Sequence, residues 1–147
     1  FAEGLVSDAV ERGARLLTGG RRPAHLNHGH FLEPTVLADV PDDARIMKEE
    51  PFAPVAPIAA FDDFDEVIAR ANSTEFGLAA YVFTRDSRRA AMTAEALEAG
   101  MVGINETLLA TAEAPFGGTR HSGFGREGGS LGILDYLVPK YIRHRLA

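Results

Sequence analysis

Two short stretches of this chain gather the side chains that can do chemistry. The first is Lys48-Glu49-Glu50-Pro51-Phe52-Ala53-Pro54, two adjacent carboxylates in a proline-braced turn directly ahead of an apolar run. In open α/β folds, ligands lie beyond the ends of strands. A carboxylate there offers acceptor oxygens to two neighbouring hydroxyls, such as those of a ribose. On spacing alone a solvated acidic turn explains the same residues, so the pair needs a second observation. The other stretch is Ala114-Pro115-Phe116-Gly117-Gly118-Thr119-Arg120-His121-Ser122-Gly123-Phe124-Gly125-Arg126-Glu127-Gly128. Glycines at that density allow left-handed turns and close approach to a ligand or another chain. Within it, Gly123-x-Gly125-x-x-Gly128 is a literal dinucleotide fingerprint. It follows a glycine-broken loop instead of an apolar strand, and the acidic residue expected about 20 positions on falls beyond the last residue. The fingerprint reading is therefore rejected.

Three further clusters are weaker. His25-x-x-His28-x-His30 places three imidazoles close together. They sit in a loop with no carboxylate or cysteine placed to complete a set, so no metal site is expected. Asp62, Asp63, Asp65 and Glu66 resemble paired acid–base carboxylates, but at a helix start the dipole and capping explain them. The chain has no cysteine. That removes disulfides, thiolate metal sites and any cysteine nucleophile, and it fits a cytoplasmic protein.

These residues need elements to hold them. Leu5, Val6, Ala9 and Val10 recur at helical spacing and Gly13 offers a stop. Residues 14–18 read as a strand, 21–29 as a polar loop, and 31–40 as a second strand in which Pro34 limits pairing. Strand 55–61 precedes a helix at 64–71, capped by Asp63 with Glu66 and buried along Phe64, Val67, Ile68 and Ala71. Strand 79–84 precedes a helix at 87–99, capped by Asp86, packed through Ala90, Ala94 and Leu97, and closed by Gly100 as a left-handed stop. Strand 101–105 leads into a long loop at 106–129. The alternation from 55 to 105 predicts an α/β class with a mostly parallel sheet and crossover helices.

The totals suit one globular domain: 147 residues, 46% hydrophobic and 24% charged, net charge −6. No basic stripe points to nucleic acid, and the apolar runs are too short to span a bilayer. The chain opens at Phe1 in a helical pattern, so an upstream segment is expected.

Taken together, the segments resemble the aldehyde dehydrogenase superfamily over essentially the whole chain. Lys48-Glu49-Glu50-Pro51-Phe52-Ala53-Pro54-Val55 is similar to the family's E-E-x-F-G-P-V. Ala71-Asn72-Ser73-Thr74-Glu75-Phe76-Gly77-Leu78-Ala79-Ala80-Tyr81-Val82-Phe83-Thr84 looks like its N-x-x-x-x-G-L-A-A-x-V-F-T. Gly103-Ile104-Asn105, Pro115-Phe116-Gly117-Gly118, Ser122-Gly123 and Gly125-Arg126-Glu127 follow its C-terminal signature in order and spacing. Phe31-x-x-Pro34-Thr35 and Tyr136 with Lys140 also match. Several motifs in one order are far more specific than any one.

The resemblance implies the C-terminal half of the family's catalytic domain in residues 1–135 and an oligomerisation tail strand in 136–147, its strand at 139–145. It implies that Glu50 bonds the nicotinamide ribose hydroxyls and that Phe52 packs beside the nicotinamide of NAD or NADP. Phe116 corresponds to the aromatic near the aldehyde. The loop 106–114, with Ala110 and Thr111, lines the substrate entrance, and Asn105 fixes that loop. Arg126 and Glu127 are expected to hold the tail. Ala53 departs from the family's glycine, which predicts an altered backbone.

The succinate-semialdehyde dehydrogenase branch is the nearest in pattern. Its serine for the substrate carboxylate is replaced by Ala110, with a hydroxyl next door on Thr111. The family's mechanism needs a cysteine nucleophile, hydride transfer to NAD(P) and a glutamate base. The cysteine is missing from this chain and so is the glutamate's sequence context, so no catalytic residue is assigned. The isolated chain is expected to be inactive, to hold no cofactor tightly and to self-associate through its tail. The alternative is a non-catalytic oligomerisation or interaction module derived from the family.

Overall fold

The computed structural model describes residues 1–26 and 28–146; Asn27, in the predicted loop, and Ala147, at the end of the predicted tail, lie outside them. The chain divides into two compact units, Phe1–Thr74 and Glu75–Ala147.

Helix α1 (Ala2–Glu11) opens the first unit and buries Leu5, Val6 and Ala9. Gly13 follows with a positive φ of 108° and closes it. Strand β1 (Arg15–Thr18) pairs antiparallel with β2 (Thr35–Ala38), and β2 pairs in parallel with β3 (Val55–Pro57). The β2 ladder is shorter than the apolar run suggests. Pro34 has no N–H to give, so the ladder starts at Thr35, whose N–H donates to the Pro54 carbonyl at 2.8 Å. Leu37, fully buried, packs with Leu5, Val6, Ala9, Ala14, Val40, Ala44 and Ile46. A 3₁₀ turn, Arg45–Met47, contributes Ile46 to this core. Helix α2 (Phe64–Ala71) starts as expected, the Asp63 carboxylate accepting from the Glu66 N–H at 2.9 Å. Phe64, Val67 and Ile68 are half-buried, but Ala71 is exposed.

The second unit holds β4 (Phe76–Gly77), β5 (Ala79–Val82), α3 (Ser87–Ala96), β6 (Met101–Ile104) and β7 (Thr119–Arg120). β5 and β6 pair in parallel with α3 as their connection, Ala79 opposite Met101 and Val82 opposite Ile104. β4 and β7 pair antiparallel over two residues each. Asp86 caps α3, accepting from the Arg88 and Arg89 N–H groups. Thr93 is buried, with Ala90, Ala94 and Leu97 half-buried beside it.

The class is mixed helix and strand, but the expected mostly parallel sheet is corrected. Among the described residues there are three small sheets, with two parallel and two antiparallel strand pairings. The alternation of strand and helix was real; it does not say which strands meet, and β3 pairs with β2 while β5 pairs with β6. The helix predicted for 87–99 also ends three residues early, at Ala96, because Leu97 is already extended. Gly100 is not its left-handed stop. A Cβ there would run into the Gly117 carbonyl, so the glycine permits two backbones to touch.

A second 3₁₀ turn, Gly132–Tyr136, precedes the tail. No ladder forms along 139–145, and among the described residues 138–146 make no hydrogen bond or ion pair. Val138 and Tyr141 stand 91% and 86% exposed. No helix of the described residues is long and apolar enough to cross a membrane.

Candidate functional site

In the first unit, the two adjacent carboxylates have different surroundings. The 3₁₀ turn places Arg45 one helical step before Glu49, and its guanidinium grips both carboxylate oxygens at 2.8 and 3.1 Å. That hydrogen-bonded charge holds the Glu49 carboxyl below its ordinary value. Glu50 is exposed and, among the described residues, bonds to nothing. Of the pair, Glu50 is the one with both oxygens available to a ligand.

The turn leaves this pair through Phe52, which adopts a positive φ of 34° and stands 89% exposed. The left-handed residue of the turn is thus Phe52, and Ala53 carries its Cβ without a positive φ. Val55 N–H closes onto the Ala53 carbonyl at 2.7 Å. Phe52 edges a hollow of about 470 Å³ with Phe1, Arg22, His30, Phe31 and Pro54; Glu50 does not line it. Of the three imidazoles, His30 reaches this hollow, and among the described residues no three His, Cys, Asp or Glu side chains converge as a metal site.

In the second unit, the glycine loop is a built structure. Phe116 and Glu127 exchange backbone hydrogen bonds at 2.7 Å each. Arg126 donates from Nη1 to the Gly118 and Gly125 carbonyls at 2.8 and 2.7 Å, and its own N–H donates to Asp135 Oδ2 at 3.0 Å. Arg126 and Glu127 therefore brace the loop and, through Asp135, the 3₁₀ turn ahead of the tail. Gly123, Gly125 and Gly128 have φ of 101°, 80° and 67°, with no α-helix after them among the described residues. This is a turn-rich loop and not a phosphate-binding strand–helix junction, as the sequence context implied. Phe116 is half-buried and lines a hollow of about 300 Å³ with Leu78, Ser122, Phe124, Arg126 and Tyr136. Phe124 is 99% exposed.

The loop 106–114 is fixed at both ends. Asn105, at φ 53°, clamps the Thr84 backbone with both amide atoms at 2.9 Å. Asn105 thus acts as a loop anchor, as expected. Glu106 accepts from the Leu108 and Thr107 N–H groups at 2.8 and 2.7 Å. At the far end, Gly129 N–H donates to the Ala112 carbonyl at 2.9 Å. Ala110 and Thr111 lie exposed between these anchors and do not line the Phe116 hollow.

The Leu108 and Thr107 amides hold the Glu106 carboxyl below its ordinary 4.5. A group lowered in the folded state adds stability that is complete above 4.5 and is lost as pH falls through the lowered value. The turn is expected to stay closed at neutral pH and to loosen in acid. An NMR titration of the Thr107 and Leu108 amides should give a midpoint below 4.5. A midpoint at or above that value, or an unchanged titration in Glu106→Gln, would contradict it.

The sequence profile described as the aldehyde dehydrogenase family matches residues 1–142. The chain belongs to the aldehyde dehydrogenase family. It is 52% identical over 137 residues to the NADP-dependent succinate-semialdehyde dehydrogenase of Escherichia coli K12, covering 93% of this chain and 28% of that protein. It is 53% identical over 137 residues to a glutarate-semialdehyde dehydrogenase of Pseudomonas putida, with the same coverage of each. The solved succinate-semialdehyde dehydrogenase of Burkholderia pseudomallei matches at TM-score 0.91 and 52% identity, over 96% of this chain and 29% of that one. This aldehyde dehydrogenase chain thus spans under a third of the length of these relatives.

Sequence reasoning singled out Glu50, Phe52, Phe116 and Asn105 as candidates but missed the grip of Arg45 on Glu49, although their i,i+4 spacing was readable. It also missed Asp8, whose partner Arg45 lies 37 positions away.

Proposed function

We propose that these residues form the cofactor-ribose and substrate-entrance part of an NAD(P)-dependent aldehyde dehydrogenase, from the C-terminal half of its catalytic domain, in the cytoplasm. The observation that carries the reading is the contrast within Lys48-Glu49-Glu50: Arg45 occupies Glu49, while Glu50 keeps both oxygens free at the head of an ordered turn. Two cis hydroxyls of a ribose are the partner such a carboxylate takes. The exposed Phe52 ring, pushed out by its left-handed backbone, would offer an apolar face to the nicotinamide.

The nicotinamide, when bound, would accept the hydride in an overall oxidation whose second acid oxygen comes from water. This chain's own part is binding and orientation. Glu50 fixes the ribose, Phe116 provides an aromatic wall near the aldehyde, and Ala110 and Thr111 stand at the entrance on a loop held by Asn105 and Glu106. The relatives named above are called succinate- and glutarate-semialdehyde dehydrogenases. Both names describe a short aldehyde with a carboxylate at its far end, and that is the proposed substrate class, succinate semialdehyde first. Thr111 supplies a hydroxyl one position from Ala110, where the branch carries its serine.

The nucleophilic thiol has to come from residues outside this chain, which contains no cysteine. The exposed Val138, Tyr141, Ile142 and Leu146 support self-association through the tail, since the free backbone N–H and C=O groups of 138–146 pair readily with a second chain. The isolated 147-residue chain, given NAD or NADP and a panel of aldehydes, is expected to reduce no cofactor above the blank. Light scattering on the same sample should show species larger than one chain. Exchanged for the matching segment of the Escherichia coli relative, it is expected to support succinate-semialdehyde oxidation. Turnover by the isolated chain, or a folded exchange protein with none, would refute the reading.

A further inference from the structure

We infer that Asp8 is a positioning residue for the cofactor carboxylate: by anchoring the 3₁₀ turn through Arg45, it sets where Glu50 is presented. The inference rests on the reading of Glu50 as the ribose ligand.

The first N–H of a helical turn has no partner inside the turn. Here that donor is Arg45 N–H, and the residue before the turn, Ala44, has no side chain to cap it. The cap comes from α1 instead: Asp8 Oδ2 accepts from Arg45 N–H at 2.9 Å. Its other oxygen takes Arg12 Nε at 3.0 Å, and Arg12 reaches Asp43, two residues before Arg45, at 2.6 Å. Asp8 is itself held in place, because Leu5, Val6 and Ala9 on the same helix are buried against Ala44 and Ile46 of the turn.

From Arg45 the coupling runs forward along the chain. Its carbonyl accepts from Lys48 and Glu49 N–H at 2.9 and 2.8 Å, and its guanidinium closes on the Glu49 carboxylate. Glu49 is thereby fixed through backbone and side chain, and Glu50 is the next residue. The exit of the same turn has its own anchor, Thr35 N–H on the Pro54 carbonyl at 2.8 Å. Glu50 sits between two fixed points, and Asp8 controls the first.

The test uses the complete dehydrogenase that contains this segment. Asp8→Ala is expected to raise KM for the nicotinamide cofactor roughly 3- to 10-fold while leaving kcat and the aldehyde KM within about twofold. Asp8→Asn, whose amide oxygen still accepts from Arg45 N–H, should recover most of that loss. Glu49→Gln, which breaks the bidentate grip without touching α1, should give the same cofactor-selective rise and serves if Asp8→Ala fails to fold. In a Glu50→Ala background, Asp8→Ala should change the cofactor KM by less than about 1.5-fold, because the two act through one contact. A role in stability alone would instead give the same fold-change in both backgrounds, or lower kcat, and either result overturns the inference. So does an unchanged cofactor KM in both Asp8→Ala and Glu49→Gln where Glu50→Ala raises it. If Glu50→Ala itself leaves the cofactor KM unchanged, the ribose reading falls and the inference falls with it.

Discussion

Glu50→Ala in the complete dehydrogenase is expected to lower kcat/KM for the nicotinamide cofactor by roughly 10- to 100-fold, the cost of losing a charge-assisted pair of hydrogen bonds. The effect should fall on KM for the cofactor more than on the aldehyde. It should leave folding untouched. Glu50 is exposed and, among the described residues, bonds to no protein group, so its removal breaks nothing in the fold. Stability is expected within about 0.5 kcal/mol of the parent, as for ordinary surface substitutions. Glu49→Ala makes the informative contrast, because it strips Arg45 of its partner and disturbs the turn as well. Steady-state kinetics against cofactor, with thermal midpoints for both variants, check the pair. A Glu50→Ala enzyme with parental cofactor kinetics would refute the assignment.

The largest structural effect is expected from Leu37→Ala. Leu37 is fully buried in the middle of β2, between the α1 helix and the 3₁₀ turn that carries Ile46. Its truncation removes apolar burial and leaves a cavity whose walls belong to short, already paired elements, a cost of about 2–5 kcal/mol. The first unit holds all the fully buried apolar side chains named for the described residues, so the loss is a large part of what keeps that unit folded. Denaturant unfolding at fixed protein concentration is the check, with the midpoint lowered and the slope unchanged. A shift below about 1 kcal/mol would mean that the core closes around the gap.

The second unit contrasts with this. Its buried residues are Thr93 and three glycines, Gly103, Gly118 and Gly132. Phe76, Tyr81, Phe83 and Ile104 are exposed along its strands. Surfaces of that kind mark contact with further protein, which supports the reading of this chain as a part of something larger.

What the sequence disclosed depended on how local the cause was. Helix α2 was readable because Asp63 caps its start and Phe64, Val67 and Ile68 follow at helical spacing. The resemblance implied that Asn105 fixes the loop after it, and its amide does hold the Thr84 backbone. The end of α3 was not readable, since Gly100 serves a backbone contact with Gly117 that no spacing rule encodes. The β4–β7 pairing spans two residues on each side, too few to show alternation. A mostly parallel sheet was inferred from the order of elements, yet pairing partners are a matter of tertiary geometry. At the candidate site, residue types pointed to the Glu49–Glu50 pair and the glycine-rich loop, and the resemblance to Glu50 and Phe116, whereas the different surroundings of Glu49 and Glu50 required the position of one guanidinium.

The most direct test is a crystal structure of the complete dehydrogenase with its nicotinamide cofactor bound. The Glu50 carboxylate is predicted to accept hydrogen bonds from the nicotinamide ribose hydroxyls at about 2.5–3.0 Å, with Glu49 still held by Arg45. A bound cofactor whose ribose is held by other groups, with Glu50 turned to solvent, would contradict the account.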